Sequence, residues 1–276
     1  MNFKRLFIII CVFLLLSGCS NSGQQLAGSN RQVLRVGMEC NYAPFNWTTT
    51  VPSDTTVPIT SVDYADGFDV VIASLLAEKM GMEVQIVKLD WDNLIPALQH
   101  DQIDAVIAGM TDTPLRRESV DFTTPYYVSE EVIIVRNDSP LVSITSIAEL
   151  SGYKVQGQMN TIYDEIIDQI DGVIHMPAAE TFPASIQALA AGGVDAVTSE
   201  LPVAIGVVSA NPNLTYIQFS AGNGFSGSEQ DASVSIAVGK GNTELLNALQ
   251  QALDTISEAQ RQQLMLDATN RQPAGE

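Results

Sequence analysis

The chain has 276 residues, 46% of them apolar, and a formal net charge of −19. Such acidity argues against electrostatic capture of nucleic acid or of an anionic membrane face. Three cysteines and two histidines offer no spacing suited to a metal, no cofactor is expected, and a body of this size can bury a core without disulfides.

At the N-terminus, Lys4 and Arg5 precede an apolar run from Leu6 to Leu16, and Ser17-Gly18 then lead to Cys19. Positive charge, an apolar run too short to span a bilayer and small residues read together as a signal peptide. The ending Leu16-Ser17-Gly18-Cys19 resembles the lipobox of bacterial lipoproteins, which implies cleavage before Cys19 and lipid on its thiol. Residues 1–18 are therefore the expected signal peptide. Residues 19–32 are the expected lipidated Cys and flexible tether, rich in Ser, Asn, Gln and Gly. About 258 residues then remain, enough for one large domain or two lobes. Loss of Lys4 and Arg5 takes the net charge to −21. Cys11 leaves with the signal, so Cys40 has no partner, and no later stretch is long and apolar enough to cross a membrane.

The body alternates strand and helix patterns. Residues 33–38 form a short apolar strand, followed by a Thr/Pro-rich insertion from Thr48 to Val62 that reads as an exposed hairpin or loop. Residues 68–79 read as an amphipathic helix with Val71, Ile72, Leu75, Leu76 and Met80 on one face and Gly81 as its C-terminal cap. A strand at 84–89, a short helix at 92–100 and a buried strand at 103–108 follow. This β-α-β-α-β order implies a mostly parallel sheet with helices on both faces. A second unit begins after Tyr126-Tyr127, with strands at 131–135, 153–156 and 194–198 and helices at 162–170 and 183–191. A strand at 232–238 and helical sequence from Thr243 through Leu266 complete the chain.

An internal echo suggests two similar lobes. Ile95, Ala97, Leu98, Ile103, Asp104, Ala105 and Val106 recur, each 91 residues on, as Ile186, Ala188, Leu189, Val194, Asp195, Ala196 and Val197. Ligands of open parallel sheets bind beyond the carboxyl ends of the strands. The echoed strands end in Gly109-Met110-Thr111 and in Ser199-Glu200, so facing lobes would bring both ends to one cleft.

Five stretches carry a family resemblance: Asn41-Tyr-Ala-Pro-Phe45, Asp66-Gly-Phe-Asp69, Trp91-Asp-Asn-Leu-Ile-Pro96, Gly109-Met-Thr-Asp-Thr-Pro-Leu-Arg116 and Asp121-Phe-Thr-Thr-Pro-Tyr126. In this order they resemble the polar amino-acid-binding proteins of ABC importers, solute-binding protein family 3. The resemblance covers nearly all of residues 33–266. It implies the α/β two-lobe periplasmic-binding-protein fold, a clamshell in which each lobe is a mostly parallel sheet flanked by helices. Two crossover strands would join the lobes near Tyr126–Ser129 and Phe219–Gly222. Lobe 1 would be residues 33–127 plus 221–270, and lobe 2 residues 128–220.

The resemblance also implies residue roles. An amino acid carries a carboxylate and an ammonium on one carbon, and a specific site must neutralise both away from water. Arg116 matches the family arginine that clamps the α-carboxylate, as a guanidinium fork suits. Glu200 matches an acidic residue that accepts from the α-ammonium, assisted by the Thr111 hydroxyl and the Gly109 carbonyl. Gln158 and Thr161 would face the ligand from the other lobe, although Asn160-Thr161-Ile162 stands where the family often has Gly-Thr-Thr. Glu39, flanked by Tyr42 and Trp91, aligns with a carboxylate that meets the ligand's side chain.

With Arg116 and Glu200 assigned to the ligand's two backbone charges, Glu39 needs a cation, because a buried unpaired carboxylate is costly. The expected ligand is a free basic L-amino acid, arginine first, then lysine or histidine. Glutamine or another neutral polar amino acid is the alternative. The expected protein is not an enzyme, a secreted cyclohexadienyl dehydratase on the same scaffold being the rival reading. Its expected partners are the membrane permease and ATPase subunits of an ABC importer. It would be an extracytoplasmic monomer, lipid-anchored through Cys19 at the cell surface or in the periplasm.

Overall fold

The computed structural model describes residues 32–227 and 232–273. The signal peptide, Cys19 and all but the last residue of the tether lie outside the described residues. Three sheets organise the rest. The first has the strand order Glu83–Lys88, Val33–Met38, Ala105–Val106, Ser233–Gly239, Val120–Val128. Its first three strands are parallel, and Ser233–Gly239 runs antiparallel to both neighbours. The second has the order Ile174–His175, Lys154–Gln156, Ala196–Glu200, Glu131–Arg136, Leu214–Ile217. Again three strands are parallel and the fourth, Glu131–Arg136, is antiparallel.

The sequence echo has a structural counterpart. Ala105–Val106 and Ala196–Glu200 hold the same central place in their sheets. The preceding aspartates do the same work. Asp104 accepts from the Arg35 backbone N–H at 2.8 Å and returns its own N–H to the Arg35 carbonyl. Asp195 does both with Lys154, the carboxylate bond being 2.9 Å. Each pair pins the parallel neighbour, Val33–Met38 or Lys154–Gln156, beside the central strand.

The helix Phe68–Lys79 shows why its motif is spelled as it is. Gly67 has φ +131, and a Cβ there would stand 2.2 Å from the Phe45 carbonyl oxygen, so no other residue fits this approach. The helix then starts against the preceding turn, with the Phe68 and Asp69 N–H groups donating to the Pro44 and Phe45 carbonyls. Phe68, Ile72, Ala73, Leu76 and Ala77 are buried, whereas Val71 and Leu75 are half-buried. The expected face was wrong by part of a turn because this helix is apolar nearly all round, and periodicity then marks no one side. Burying a side chain such as Phe68 or Leu76 contributes about 1.5–3 kcal/mol each.

Several expected elements differ in detail. The strand expected at 103–108 is paired only at Ala105–Val106, because the chain then leaves the ladder towards Gly109. The helix expected at 162–170 is an α-turn, Ile162–Glu165, continued by a 3-10 turn, Ile166–Gln169. The C-terminal helical run is two helices, Thr243–Asp254 and Glu258–Arg271, the second opened by Ser257, whose side chain accepts from the Gln260 N–H. Of the two readings of the Thr48–Val62 insertion, hairpin or loop, the antiparallel pairing fits the hairpin. Asn41–Tyr42, Asn46–Thr49, Tyr64–Asp66 and Val57–Pro58 form a small antiparallel sheet.

The chain passes from the first sheet to the second between Val128 and Glu131. Its return lies beyond the expected Phe219–Gly222. Phe219 and Phe225 pack on the second sheet's core, and Ser226 bonds Gln169 there. By Ala232 the chain is back, its carbonyl accepting from the Ser129 N–H at 2.8 Å.

Candidate functional site

The carboxyl ends of the parallel strands in both sheets meet at one small cavity. From the first sheet, Glu39 follows Val33–Met38, while Gly109 and Thr111 follow Ala105–Val106. Gln158 and Thr161 follow Lys154–Gln156 of the second sheet. Tyr42, Trp91 and Arg116 complete the expected set, so eight of its nine ligand-binding residues line this cavity, with Ala108, Ile162 and Tyr163.

Glu200 does not line it. This carboxylate, the C-terminal residue of Ala196–Glu200, is fully buried, and its Oε1 accepts from the Tyr42 hydroxyl at 2.6 Å. The Tyr42, Ser129 and Tyr163 hydroxyls oppose the burial that pushes its carboxyl up to about 7. Among the described residues, Tyr42 bonds it at full geometry, and Oε2 has no hydrogen bond. Reading strand ends alone could not separate a side chain facing the cleft from one held behind a tyrosine.

Arg116 is delivered by local chemistry. The Thr113 side chain caps the short helix Pro114–Arg117 by accepting from the Arg116 N–H at 3.2 Å, and Pro114 takes the first helical position. The guanidinium donates through Nη1 to the Thr111 carbonyl at 2.7 Å and through Nη2 to the Asn160 carbonyl at 2.9 Å. Its carbon sits 5.2 Å from the centroid of the Trp91 ring. Burial lowers its pKa to about 10, against Glu165, Tyr163 and Asp112, which raise it, so it stays a cation at neutral pH.

Two expected contacts are otherwise engaged. The Trp91 ring, expected to flank Glu39 at the ligand's side chain, faces Arg116, and its indole N–H donates to the Asn160 carbonyl at 3.1 Å. The Thr161 hydroxyl, expected to face the ligand, donates to the Gln158 carbonyl at 2.7 Å. Tyr42 both lines the cavity and packs, stacked on Phe45 with centroids 5.6 Å apart and edge-on to Phe182.

Glu39 is 6% exposed and receives long bonds from Gln158 Nε2, at 3.3 and 3.4 Å, with the Asn41 side chain also lowering its pKa. Among the described residues it has no ion-pair partner. Burial first, and the nearby charges of Asp90 and Asp92 after it, push its carboxyl up to about 7. Sequence reasoning missed Tyr163 and Asn160. Both stand beside expected residues, but neither a phenol at a helix start nor a departure from Gly signals a cleft by itself.

Residues 34–267 match the model of the bacterial extracellular solute-binding proteins, family 3. The chain belongs to this family. It is 34% identical over 162 residues to the arginine-binding extracellular protein ArtP of Bacillus subtilis, an alignment spanning 58% of this chain and 56% of that protein. An ancestral arginine-binding protein solved with arginine is 32% identical, with a TM-score of 0.71, and the match covers 86% of this chain and 98% of that one. A structure of an ancestral arginine-binding protein with glutamine gives 31%, 0.71, 86% and 97%. The fold is thus that of amino-acid binders of the periplasmic-binding-protein type. Among the described residues, no helix is long and apolar enough to cross a membrane.

Proposed function

We propose that this chain captures a basic L-amino acid, arginine first and lysine or histidine after it, for an amino-acid ABC importer. Glu39 carries the argument. A buried carboxylate with no cationic partner and two further aspartates nearby is completed by a ligand whose side chain is a cation. The relatives that bind arginine support the same reading.

Each remaining group has a part in it. Arg116 exchanges the neutral Asn160 carbonyl for the ligand's carboxylate, a stronger acceptor for a guanidinium. The Gly109 carbonyl and Thr111 hydroxyl accept from the α-ammonium. Glu200 supplies the opposing negative charge from behind Tyr42, where its Oε2 has no bond of its own. Gln158, on the other sheet, meets Glu39, so a ligand bridging them favours closure of the two lobes on each other. Lipid on Cys19 holds the protein at the outer face of the cell membrane, where permease and ATPase subunits receive the ligand.

Glutamine is the second reading, favoured by one observation. A Glu39 that protonates near 7 beside the Gln158 amide suits a carboxamide as well as a cation. The test is thermal stability of the full chain against the twenty amino acids. A ligand at 100 times its Kd adds roughly 2.7 kcal/mol. A shift with arginine, lysine or histidine supports the proposal. A shift confined to glutamine selects the second reading, and turnover of prephenate or arogenate would overturn both.

A further inference from the structure

We propose that Asp69 is the positioning residue of this cleft: its one buried carboxylate holds both backbone walls, Cys40 through Asn46 and Gly109 through Tyr126. The inference rests on the reading of the cavity as the ligand site, and it assigns to Asp69 a task that no residue of the cleft performs itself.

The two walls are unusual backbone. Cys40, directly after Glu39, has φ +56, and Gly109 has φ +63. A left-handed φ at a residue other than glycine persists only where its surroundings hold it. Here they do so by hydrogen bonds to backbone N–H groups. The Cys40 N–H donates to Asn46 Oδ1 at 2.7 Å, and Asn46 Nδ2 donates to Asp69 Oδ2 at 2.8 Å. On the other side, the Gly109 N–H donates to the Tyr126 oxygen at 2.9 Å, and the Tyr126 hydroxyl donates to Asp69 Oδ1 at 2.7 Å. Asp69, Asn46 and Tyr126 are each no more than 1% exposed.

Asp69 sets the direction of both chains. In its ionised form, which the Tyr126 and Asn46 hydrogen bonds favour against burial, Asp69 has two oxygens that only accept, so Asn46 must turn its amide group to Asp69 and so its carbonyl to Cys40. Tyr126 must spend its proton on Asp69, which leaves its oxygen lone pair for Gly109. An asparagine at 69 fills the same volume but presents an NH2 group to the Asn46 NH2. Those two donors face each other, or Asn46 turns over and places its NH2 against the Cys40 N–H, or the new amide turns over and places its NH2 against the Tyr126 hydroxyl, whose proton then loses its acceptor. Each outcome leaves a buried donor unpaired. Asp69 itself touches the cleft nowhere. Its fixed position comes from the helix start, where its N–H is held by the Phe45 carbonyl at 2.8 Å.

The geometry prescribes its own rescue. In D69N/N46D the carboxylate sits at position 46, accepting from Cys40 and from the amide introduced at position 69. The oxygen of that amide still accepts from Tyr126. The full chain and its variants would be measured in two ways: arginine titration, and hydrogen exchange at the Cys40 and Gly109 amides without ligand. D69N is expected to raise the arginine Kd about tenfold or more and to speed exchange at both amides, and D69N/N46D to restore both to within about threefold. Y126F should speed exchange at Gly109 and leave Cys40 protected. Should D69N not fold, Y126F carries the test alone. Lowered melting temperature with unchanged Kd and exchange, or a double variant no better than D69N, would overturn the proposal. If the unaltered chain binds no arginine, the ligand reading fails, and the exchange pattern still decides whether Asp69 holds the two walls.

Discussion

Arg116 and Asn160 meet across the cleft: Arg116 Nη2 lies 2.9 Å from the Asn160 carbonyl oxygen, while its Nη1 holds Thr111 at 2.7 Å. The guanidinium fork therefore joins the ends of two strands from different sheets. A lysine at 116 supplies the charge but not two fixed donors. Arg116→Lys is expected to weaken arginine binding about 10- to 100-fold, and Arg116→Ala about 100-fold or more, both read by calorimetric titration.

Asn160 separates a backbone contribution from a side-chain one. Its φ is +58, its carbonyl accepts from Trp91 and Arg116, and its Nδ2 donates to Asp92 Oδ1 at 2.7 Å. Asn160→Gly keeps the left-handed backbone and the carbonyl but removes the amide link. Exposed as that link is, its loss should cost about 1 kcal/mol or less, a two- to fivefold weakening of arginine binding. Asn160→Ala removes the amide link too and puts at a left-handed φ a residue without asparagine's tolerance of it, and should weaken binding further. Equal effects from the two substitutions would exclude a role for the backbone geometry.

The pH dependence follows from burial. Glu39, Asp69 and Glu200 are each pushed up to about 7 by desolvation. A carboxyl whose folded pKa lies above its unfolded value favours folding when protonated. Its contribution is complete below the unfolded value, about 4, and is lost as pH rises through 7. The ligand-free protein should therefore lose stability between pH 4 and 7 on account of these groups. Arginine needs Glu39 ionised, so its Kd should rise as pH falls below 7, by at most about tenfold per unit. Titrations at pH 5, 6, 7 and 8 check both signs.

Arg271 ties the last helix to the small sheet and gives a stability prediction independent of the ligand. It pairs with Asp66 at 3.2 Å and sits 5.8 Å from the Trp47 ring centroid. Asp66 is only 6% exposed, so truncation leaves a buried carboxylate without its cation. Arg271→Ala is expected to lower stability by about 1–3 kcal/mol, seen as a drop in melting temperature of several degrees, with arginine affinity unchanged.

Much of this was legible in the sequence, for reasons that differ from residue to residue. The strand Val33–Met38 and the helix Phe68–Lys79 were read with the ends the structure gives them. A largely apolar strand and a helix flanked by Gly67 and Gly81 mark their own limits. The 91-residue echo located the central strands of both sheets, because Asp104 and Asp195 repeat one backbone contact. The short strand Leu214–Ile217 and the helix Leu201–Ala210 were not anticipated, since one is four residues long and the other is apolar without a clear stripe. Glu200 shows the limit most clearly. Its strand-end place was read, but not that Tyr42, 158 residues away, would take its Oε1. Asp69 was visible as part of a motif and had no stated task until Tyr126 and Asn46 were brought against it by the fold.

The most direct test of the account is calorimetric titration of the full chain and its Glu39→Gln variant with arginine, lysine, histidine and glutamine. The account predicts that the unaltered chain prefers the basic ligands and that Glu39→Gln weakens arginine about 100-fold or more, since the substitution removes the charge facing a buried cation, while glutamine changes by less than about tenfold. Arginine binding that survives Glu39→Gln unchanged, or a native preference for glutamine over all three basic ligands, would contradict it.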